Sequence, residues 1–316
     1  MPIHFLDIAD FDSATLKAIL IDALAMKKDP RHKQYSQHLA GKHIALIFEK
    51  PSTRTRISFE VGVTQLGGVP LVLDAKSMQM GRGESLADTA RVLSRYVHAM
   101  MLRVDQHRTL DELATTATIP VINGLSDTSH PCQVMADVMT LAEAKAPKLD
   151  FSQLTVLWAG DGNNVTHSWI DAAASFGFAL RLACPPDLAP RADIIARAQQ
   201  KGGRISFDTD ISDLAKGVDA VVTDTWFSMG DGGDGGDAAA DKKAREKLLA
   251  PYRITQAIMQ QAKPDAVFMH CLPVYRGNEA TAEVVDGSQS IIFDEAENRL
   301  HAQKAILRHC LPLPRP

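Results

Sequence analysis

The sequence lacks the long apolar runs and targeting patterns that mark membrane and exported proteins. None of its apolar runs approaches the roughly 18 to 20 residues that cross a bilayer. The first residues, MPIHFLDIADFD, have neither the basic start and apolar core of a secretory signal nor the Arg-rich, acid-poor character of a transit peptide. We therefore expect a cytoplasmic protein with no membrane partner.

Cysteine is scarce, and an excess of basic charge is missing. The four cysteines are too far apart to form a C-x-x-C zinc or redox pair, so reduced thiols and no bound metal are expected. With 34 basic and 38 acidic residues the net charge is −4, whereas nucleic-acid-binding proteins usually carry a basic field. An anionic ligand would therefore have to be attracted by local arginines.

Strand-like and helical segments alternate along the chain. This alternation predicts an α/β fold with two doubly wound parallel-sheet domains joined by helices. Strands are predicted at 43–48, 69–73, 99–103, 119–122, 154–159, 179–184, 204–207, 219–223, 266–270 and 290–293. Helices in the first half are predicted at 54–66, 85–97, 107–117 and 131–145. The segment 144–150 breaks the alternation, so the predicted domains are 1–145 and 150–295, followed by a closing helix at 296–311.

A polar, arginine-containing segment follows the first predicted strand. Ser52, Thr53, Arg54 and Thr55 open a helix whose N-terminus points unpaired backbone N–H groups and a positive dipole outward. Arginine suits planar recognition of phosphate or carboxylate oxygens. The segment predicts a phosphate site, although an ordinary capped helix with surface arginines would have the same sequence.

Three later strand ends carry chemically active groups as well. His130 can donate a hydrogen bond to a developing oxyanion, and Gln133, one turn later, offers both an amide donor and an acceptor. Asp224 and Cys271 follow two further predicted strands. Reactive or charged side chains therefore follow four of the predicted strands.

These strand ends resemble the motifs of a known family, the carbamoyltransferases, which transfer the carbamoyl group of carbamoyl phosphate to an amine. The resemblance rests on Ser52-Thr53-Arg54-Thr55, His130-Pro131-Cys132-Gln133, Asp224 with Ser228-Met229-Gly230, and His270-Cys271-Leu272-Pro273. The first two motifs are shared widely, whereas the last two are similar to the ornithine-using members. The resemblance implies formation of L-citrulline and phosphate from carbamoyl phosphate and L-ornithine, in arginine biosynthesis and without a cofactor.

The resemblance also implies roles for single residues. Implied to bind carbamoyl phosphate are Ser52, Thr53, Arg54, Thr55, Gln79, Arg103, His130, Pro131, Cys132, Gln133, Cys271, Leu272 and Arg299. Implied to bind ornithine are Asn164, Asp224, Ser228 and Met229. Arg103, His130, Cys271 and Asp224 are the expected catalytic residues. Gln79 would serve the site of a neighbouring subunit in a trimer or a multiple of trimers, and the closing helix would pack back on the first domain.

Other interpretations stay open at this point. The turn Gly160-Asp161-Gly162-Asn163-Asn164 follows a strand as in dinucleotide-binding oxidoreductases, but the third glycine is replaced by Val165. A transferase using putrescine or an acylated ornithine would differ only by small changes in the pocket. A non-catalytic binding protein would be expected to have lost some residues of the Ser52–Thr55 or His270–Pro273 motifs, and none is missing. The Gly-Asp-rich segment 230–237 fits either a lid hinge or a surface insertion.

Overall fold

The computed structural model describes residues 1–30, 32–80, 83–227 and 238–313. The chain forms two compact units. Unit 1 comprises Met1–Met139 with Glu297–Pro316, and unit 2 comprises Thr140–Ala296. Residues 297–313 of the closing helix and its extension therefore belong to unit 1, together with the N-terminal part of the chain.

Unit 1 is built on a four-stranded parallel sheet with strand order β2-β1-β3-β4. The strands are β1 (His43–Phe48), β2 (Val69–Asp74), β3 (Ala99–Arg103) and β4 (Val121–Leu125). The helices that begin in this unit's first segment are α1 (Ser13–Lys28), α2 (Lys33–Ser36), α3 (Thr53–Gln65), α4 (Leu86–Tyr96), α5 (His107–Thr116) and α6 (Pro131–Lys145), with 3₁₀ turns at Ile8–Asp10 and Ala75–Ser77. Every residue of β1 after His43 is buried, as expected of a parallel strand covered on both faces.

Unit 2 is built on a five-stranded parallel sheet with strand order β7-β6-β5-β8-β9. The strands are β5 (Thr155–Ala159), β6 (Ala179–Ala183), β7 (Arg204–Asp208), β8 (Ala220–Thr223) and β9 (Val267–His270). The helices are α7 (Asn164–Phe176), α8 (Ala192–Gln200), α9 (Ile211–Leu214), α10 (Ala238–Leu249), α11 (Gln256–Met259), α12 (Ala282–Val285) and the first residues of α13 (Ile292–Cys310), with 3₁₀ turns at Pro186–Leu188 and Ala250–Tyr252. One face of the sheet packs Leu157, Val221 and Phe268 into a common apolar core.

The predicted doubly wound α/β class is confirmed, with one wrong strand. The other nine predicted strands are present, with ends shifted by up to three residues. Residues 290–293 do not form a strand, because Ser290 makes only an isolated bridge to Phe268 and α13 already begins at Ile292. A short apolar run of this kind cannot be assigned to strand or helix by periodicity alone.

The two strand orders also determine where each unit can bind ligands. In an open parallel sheet, ligands bind beyond the carboxyl ends of the strands, where the strand order reverses. That point lies between β1 and β3 in unit 1 and between β5 and β8 in unit 2. The segments singled out by their sequence follow β1, β5 and β8 and the neighbouring strands β4 and β9.

Among the described residues, no helix combines the length and the apolar character needed to cross a bilayer.

Candidate active site

In unit 1, the segment after β1 forms the capped start of a helix. Ser52 is the N-cap of α3, and its Oγ accepts a hydrogen bond of 3.3 Å from the backbone N–H of Thr55. Thr53 and Arg54 occupy the first turn, where the helix N-terminus favours an anion. The Arg54 side chain is partly exposed and so remains accessible to a ligand.

Two sequence-distant arginines belong to the same region. Arg299, on α13, donates from Nη2 to Thr55 Oγ1 at 2.7 Å, and both residues are buried. Arg103 ends β3 directly beside Phe48, the last residue of β1, and its backbone oxygen accepts from Glu49 N–H at 2.9 Å. The burial of Arg299 rules out the simple interpretation of a helix-surface charge.

His130 is buried among these guanidiniums. Burial holds the pKa of His130 well below its usual 6.5, and the charges of Arg299, Arg103 and Arg54 lower it further. The imidazole is therefore neutral near pH 7, yet one ring nitrogen still carries a proton that it can donate. We call Ser52, Thr53, Arg54, Thr55, Arg103, His130 and Arg299 the anion cluster.

The residues after His130 are held inside unit 1. Pro131 is the first residue of α6, a position where its missing N–H costs nothing. The Cys132 thiol donates to the backbone oxygen of Asn123 at 3.2 Å, and burial raises the pKa of this thiol to about 12. Cys132 therefore stays a protonated thiol that joins α6 to β4. The backbone N–H of Gln133 donates to the His130 oxygen at 3.1 Å, which places Gln133 one turn from the imidazole.

In unit 2, three strand ends meet at Asp224. The carboxylate accepts from Asn163 Nδ2 at 2.8 Å, from its neighbour Thr225 N–H at 2.7 Å and from Cys271 Sγ at 3.0 Å. Asn163, Asp224 and Cys271 follow β5, β8 and β9 respectively, and each is partly exposed. We call these three residues the thiol–carboxylate cluster.

Asn163 adds a contact that the sequence did not predict, beside Asn164, which is the expected ornithine ligand. Asn163 is the N-cap of α7, because its Oδ1 accepts from the N–H groups of Val165 and Thr166 at 2.9 and 3.2 Å. Its amide nitrogen is thereby directed to Asp224. Asn164 begins α7 and is partly exposed. The N-cap preference for Asn before a helix was the signal that could have identified Asn163.

A buried histidine shapes the turn that carries Cys271. His270 is wholly buried, its Nδ1 accepts from Leu272 N–H at 2.8 Å, and its Nε2 lies 3.4 Å from Glu279 Oε1. Its backbone N–H donates to Glu295 Oε2 at 2.8 Å. Leu272 has φ of +63°, a left-handed conformation that is costly for a branched residue, and the hydrogen bond to His270 holds it there. The two buried glutamates give no signal in the sequence, where they look like ordinary surface acids.

Asp224, His270 and Cys271 also bring three possible metal-ligand atoms within 4.8 Å of one another. Both ring nitrogens of His270, however, already face other groups, namely Leu272 N–H and Glu279. A metal would have to displace one of these contacts. These contacts favour a site without a metal, and the absence of a metal stays a prediction.

The glycine-rich turn after β5 is explained by packing. A Cβ on Gly162 would lie 2.2 Å from the backbone nitrogen of Pro190, so only glycine fits there. The side chain of Arg245 donates to Asp161 in the same turn and to the backbone oxygen of Trp226. These contacts account for the turn without a dinucleotide. Ser228 and Met229, with the segment 230–237, lie outside the described residues.

Fold and clusters together define the class of this protein. It is a two-domain α/β enzyme in which one parallel-sheet unit presents a donor-rich anion cluster and the other presents a thiol hydrogen-bonded to a carboxylate. Two family profiles match the chain in the same order. One, described as "Aspartate/ornithine carbamoyltransferase, carbamoyl-P binding domain", matches residues 3–143, and the other, "Aspartate/ornithine carbamoyltransferase, Asp/Orn binding domain", matches residues 152–310. The chain belongs to the aspartate/ornithine carbamoyltransferase family.

Individual relatives agree with this assignment. The chain is 52% identical over 315 residues to a Cereibacter sphaeroides protein named ornithine carbamoyltransferase, covering 98% of this chain and 99% of the relative. It is 51% identical over 313 residues to the protein of that name from Nitrobacter winogradskyi, covering 98% and 97%. The solved ornithine carbamoyltransferase from Pyrococcus furiosus has 42% identity and a TM-score of 0.91, covering 99% of this chain and 98% of that one.

Proposed function

We propose that the protein transfers the carbamoyl group of carbamoyl phosphate to the δ-amine of L-ornithine, releasing L-citrulline and phosphate. The observation that carries this proposal is the 3.0 Å hydrogen bond between Cys271 and Asp224, in a family that uses either aspartate or ornithine. A carboxylate and a thiol suit a cationic side-chain amine, whereas the carboxylate of an aspartate acceptor would be repelled. The relatives named ornithine carbamoyltransferase support the same acceptor.

The anion cluster holds carbamoyl phosphate. Ser52, Thr53, Arg54 and Thr55, with the N–H groups of α3, bind the phosphate, and Arg299 supports them through Thr55. Arg103 and neutral His130 donate to the carbonyl oxygen, where negative charge develops as the amine attacks. Gln133 and the backbone of Cys271 and Leu272 accept from the carbamoyl NH2. Pro131 and Cys132 contribute by fixing the start of α6.

The thiol–carboxylate cluster prepares the amine. A lysine-like amine has a pKa of about 10.4, so only about one molecule in a thousand is neutral at pH 7. Asp224 and Cys271 orient the amine and receive its proton. The neutral amine then attacks the carbonyl carbon, a C–N bond forms, and the C–O bond to phosphate breaks, with the electron pair leaving on the phosphate. The departing phosphate takes up the proton that the attacking nitrogen loses. Asn164, Ser228 and Met229 hold the amino-acid end of ornithine.

The proposed assembly is a homo-oligomer, either a trimer or a multiple of trimers, in which Gln79 reaches the carbamoyl phosphate of a neighbouring subunit. Gln79 is exposed on the segment after β2. Apolar side chains are exposed on the edge strand β2 at Val69 and Leu71 and on α3 at Ile57 and Val61. An exposed strand edge with apolar residues favours coverage by another chain. The reaction would take place in the cytoplasm as a step of arginine biosynthesis.

The test is a citrulline assay with carbamoyl phosphate and a panel of amines. Ornithine should be carbamoylated in preference to putrescine, N-acetylornithine and aspartate. Activity with aspartate but not ornithine would contradict the acceptor assignment. Calorimetry with NAD(H) should show no binding, and micromolar affinity would instead favour the dinucleotide interpretation.

A further inference from the structure

A buried amide and a buried carboxylate form a pair at the start of α6. Gln133 Nε2 donates to Asp137 Oδ1 at 2.7 Å, and each residue is 1% exposed. The two residues are one helical turn apart, so they lie on the same side of α6. Both belong to unit 1, together with the anion cluster.

The chemistry of the pair determines which way the amide points. Gln133 Nε2 donates to a carboxyl oxygen of Asp137, so the amide nitrogen of Gln133 faces Asp137. The amide carbonyl oxygen is then directed away from Asp137. A neutral partner such as asparagine can donate as well as accept, and would tolerate either orientation of the amide. The carboxyl group of Asp137, in place of an amide, is therefore what favours this orientation.

The direction of the amide matters because the guanidiniums and the imidazole of the nearby anion cluster are donors. Arg54, Arg103 and neutral His130 offer N–H groups, which suit the phosphate and the carbonyl oxygen of the ligand. The carbamoyl NH2 needs acceptors instead. Gln133 lies one turn from His130 and can supply an acceptor only through its carbonyl oxygen.

We propose that Asp137 is a positioning residue that fixes Gln133 as an acceptor and thereby lets the protein select a carbamoyl phosphate over acyl phosphates of the same shape. This role depends on the proposed function, in which Gln133 contacts the carbamoyl NH2. Acetyl phosphate is the matching probe, because a methyl group replaces the NH2. A site built to hydrogen-bond an NH2 rejects an analogue that lacks it, since the buried acceptor is then left unpaired.

The experiment compares Asp137→Asn with the wild type. The KM for carbamoyl phosphate and the inhibition constant of acetyl phosphate are measured in the same citrulline assay. In Asp137→Asn the carbamoyl phosphate KM should rise about tenfold to a hundredfold, because the amide can now turn its NH2 toward the NH2 of the ligand. The acetyl phosphate constant should change less than about twofold, because a methyl group does not depend on the amide orientation.

A double exchange provides the rescue. Gln133→Glu combined with Asp137→Asn keeps the net charge of the pair, and the asparagine NH2 can donate to the glutamate. The second glutamate oxygen still faces the ligand as an acceptor. The ratio of the two constants should return to within about threefold of the wild-type ratio. Asp171→Asn is the matched control, because Asp171 is also a buried carboxylate, but it pairs with Arg197 in unit 2 and should leave the ratio unchanged.

Two results would overturn the proposal. Equal weakening of carbamoyl phosphate and acetyl phosphate in Asp137→Asn would assign Asp137 a structural role only, as would a double exchange that fails to restore the ratio. Should Asp137→Asn fail to fold, Asp137→Ala gives the same comparison, because the amide nitrogen of Gln133 then loses the acceptor that it faces. A wild-type protein that forms no citrulline would refute the proposed function itself, which separates the two failures.

Discussion

The two clusters of this protein differ in burial and in the sign of their charge. In the anion cluster of unit 1, Thr55, His130 and Arg299 are each less than 5% exposed, and three guanidiniums act on one neutral imidazole. In the thiol–carboxylate cluster of unit 2, Asp224 and Cys271 are only partly buried, and the charge is negative. The difference indicates that the anion site is preformed around fixed donors, while the amine site stays accessible. Ordered binding with carbamoyl phosphate first is the expected consequence.

Asp224→Asn should have the largest effect, and it should impair the use of ornithine without weakening the binding of carbamoyl phosphate. The substitution keeps the shape but removes the charge that Cys271 and Asn163 now contact. We expect kcat/KM for ornithine to fall about 100-fold. The measurement is the steady-state rate of citrulline formation at saturating carbamoyl phosphate.

Asp219→Asn is the control for that change. Asp219 is buried next to the amino end of β8, where it accepts from Lys263 and from Thr155 N–H. Its loss should lower stability and leave the kinetics of the folded protein unchanged. An Asp224→Asn variant with normal ornithine kinetics would remove Asp224 from the acceptor site.

Arg54→Ala should weaken carbamoyl phosphate binding at least about tenfold, because it removes a charge-assisted hydrogen bond at the start of α3. The measurement is the dissociation constant from calorimetry. Arg56→Ala is the matched control, since Arg56 is exposed and pairs with Glu60 on α3. Equal effects of the two substitutions would show that only the general positive charge matters.

Cys271→Ala should lower kcat by about tenfold while changing KM for ornithine less, because the thiol assists proton transfer and Asp224 supplies most of the binding. Combined with Asp224→Asn, the loss should be smaller than the sum of the single effects, since the two residues share a hydrogen bond. Additive losses would mean that they act independently. Cys184→Ala, which alters a buried thiol of unit 2, should leave kcat unchanged.

Acid pH should destabilise unit 1. Five histidines of this unit have a lowered pKa: His4, His38, His130, His301 and His309. Burial, then the charges of Lys304 and Lys27, lowers the pKa of His301 from 6.5 to about 4. Below pH 6.5 the unfolded chain binds a proton that the native state does not, so stability is lost as the pH falls toward 4.

For His301 alone this loss amounts to about 1 kcal/mol at pH 5.5. Hydrogen exchange at pH 7.5 and 5.5, corrected for intrinsic rates, should show the loss of protection in unit 1. His301→Gln should reduce the pH dependence, because the amide does not titrate. A loss confined to unit 2 would contradict the assignment.

The sequence predicted the parts of the fold and site that depend on local pattern. The continuous apolar run of β1 followed by Ser52 and Arg54 predicted a buried strand and a helix start, and both elements are present. Anion binding at this helix start stays a prediction. The contact between Asn163 and Asp224 could not be predicted from local sequence pattern, because it joins residues 61 positions apart.

Buried charge was the least predictable property. Glu279 and Glu295 are buried because they pair with His270 and the backbone around Cys271, and that pairing exists only once β9 and α13 are folded. The wrong strand at 290–293 has a related cause. Ile292 and Glu295 are buried three residues apart, as on one face of a helix, while Phe293 is exposed. The apolar run 291–293 alone does not distinguish this helical pattern from a buried strand.

The division of labour between the clusters is tested most directly by equilibrium binding of carbamoyl phosphate to the wild type, Arg54→Ala and Asp224→Asn, each measured by calorimetry without ornithine. Arg54→Ala should weaken binding at least about tenfold, and Asp224→Asn should leave it within about twofold of the wild type. Weakened binding in Asp224→Asn with unchanged binding in Arg54→Ala would contradict the assignment of carbamoyl phosphate to unit 1.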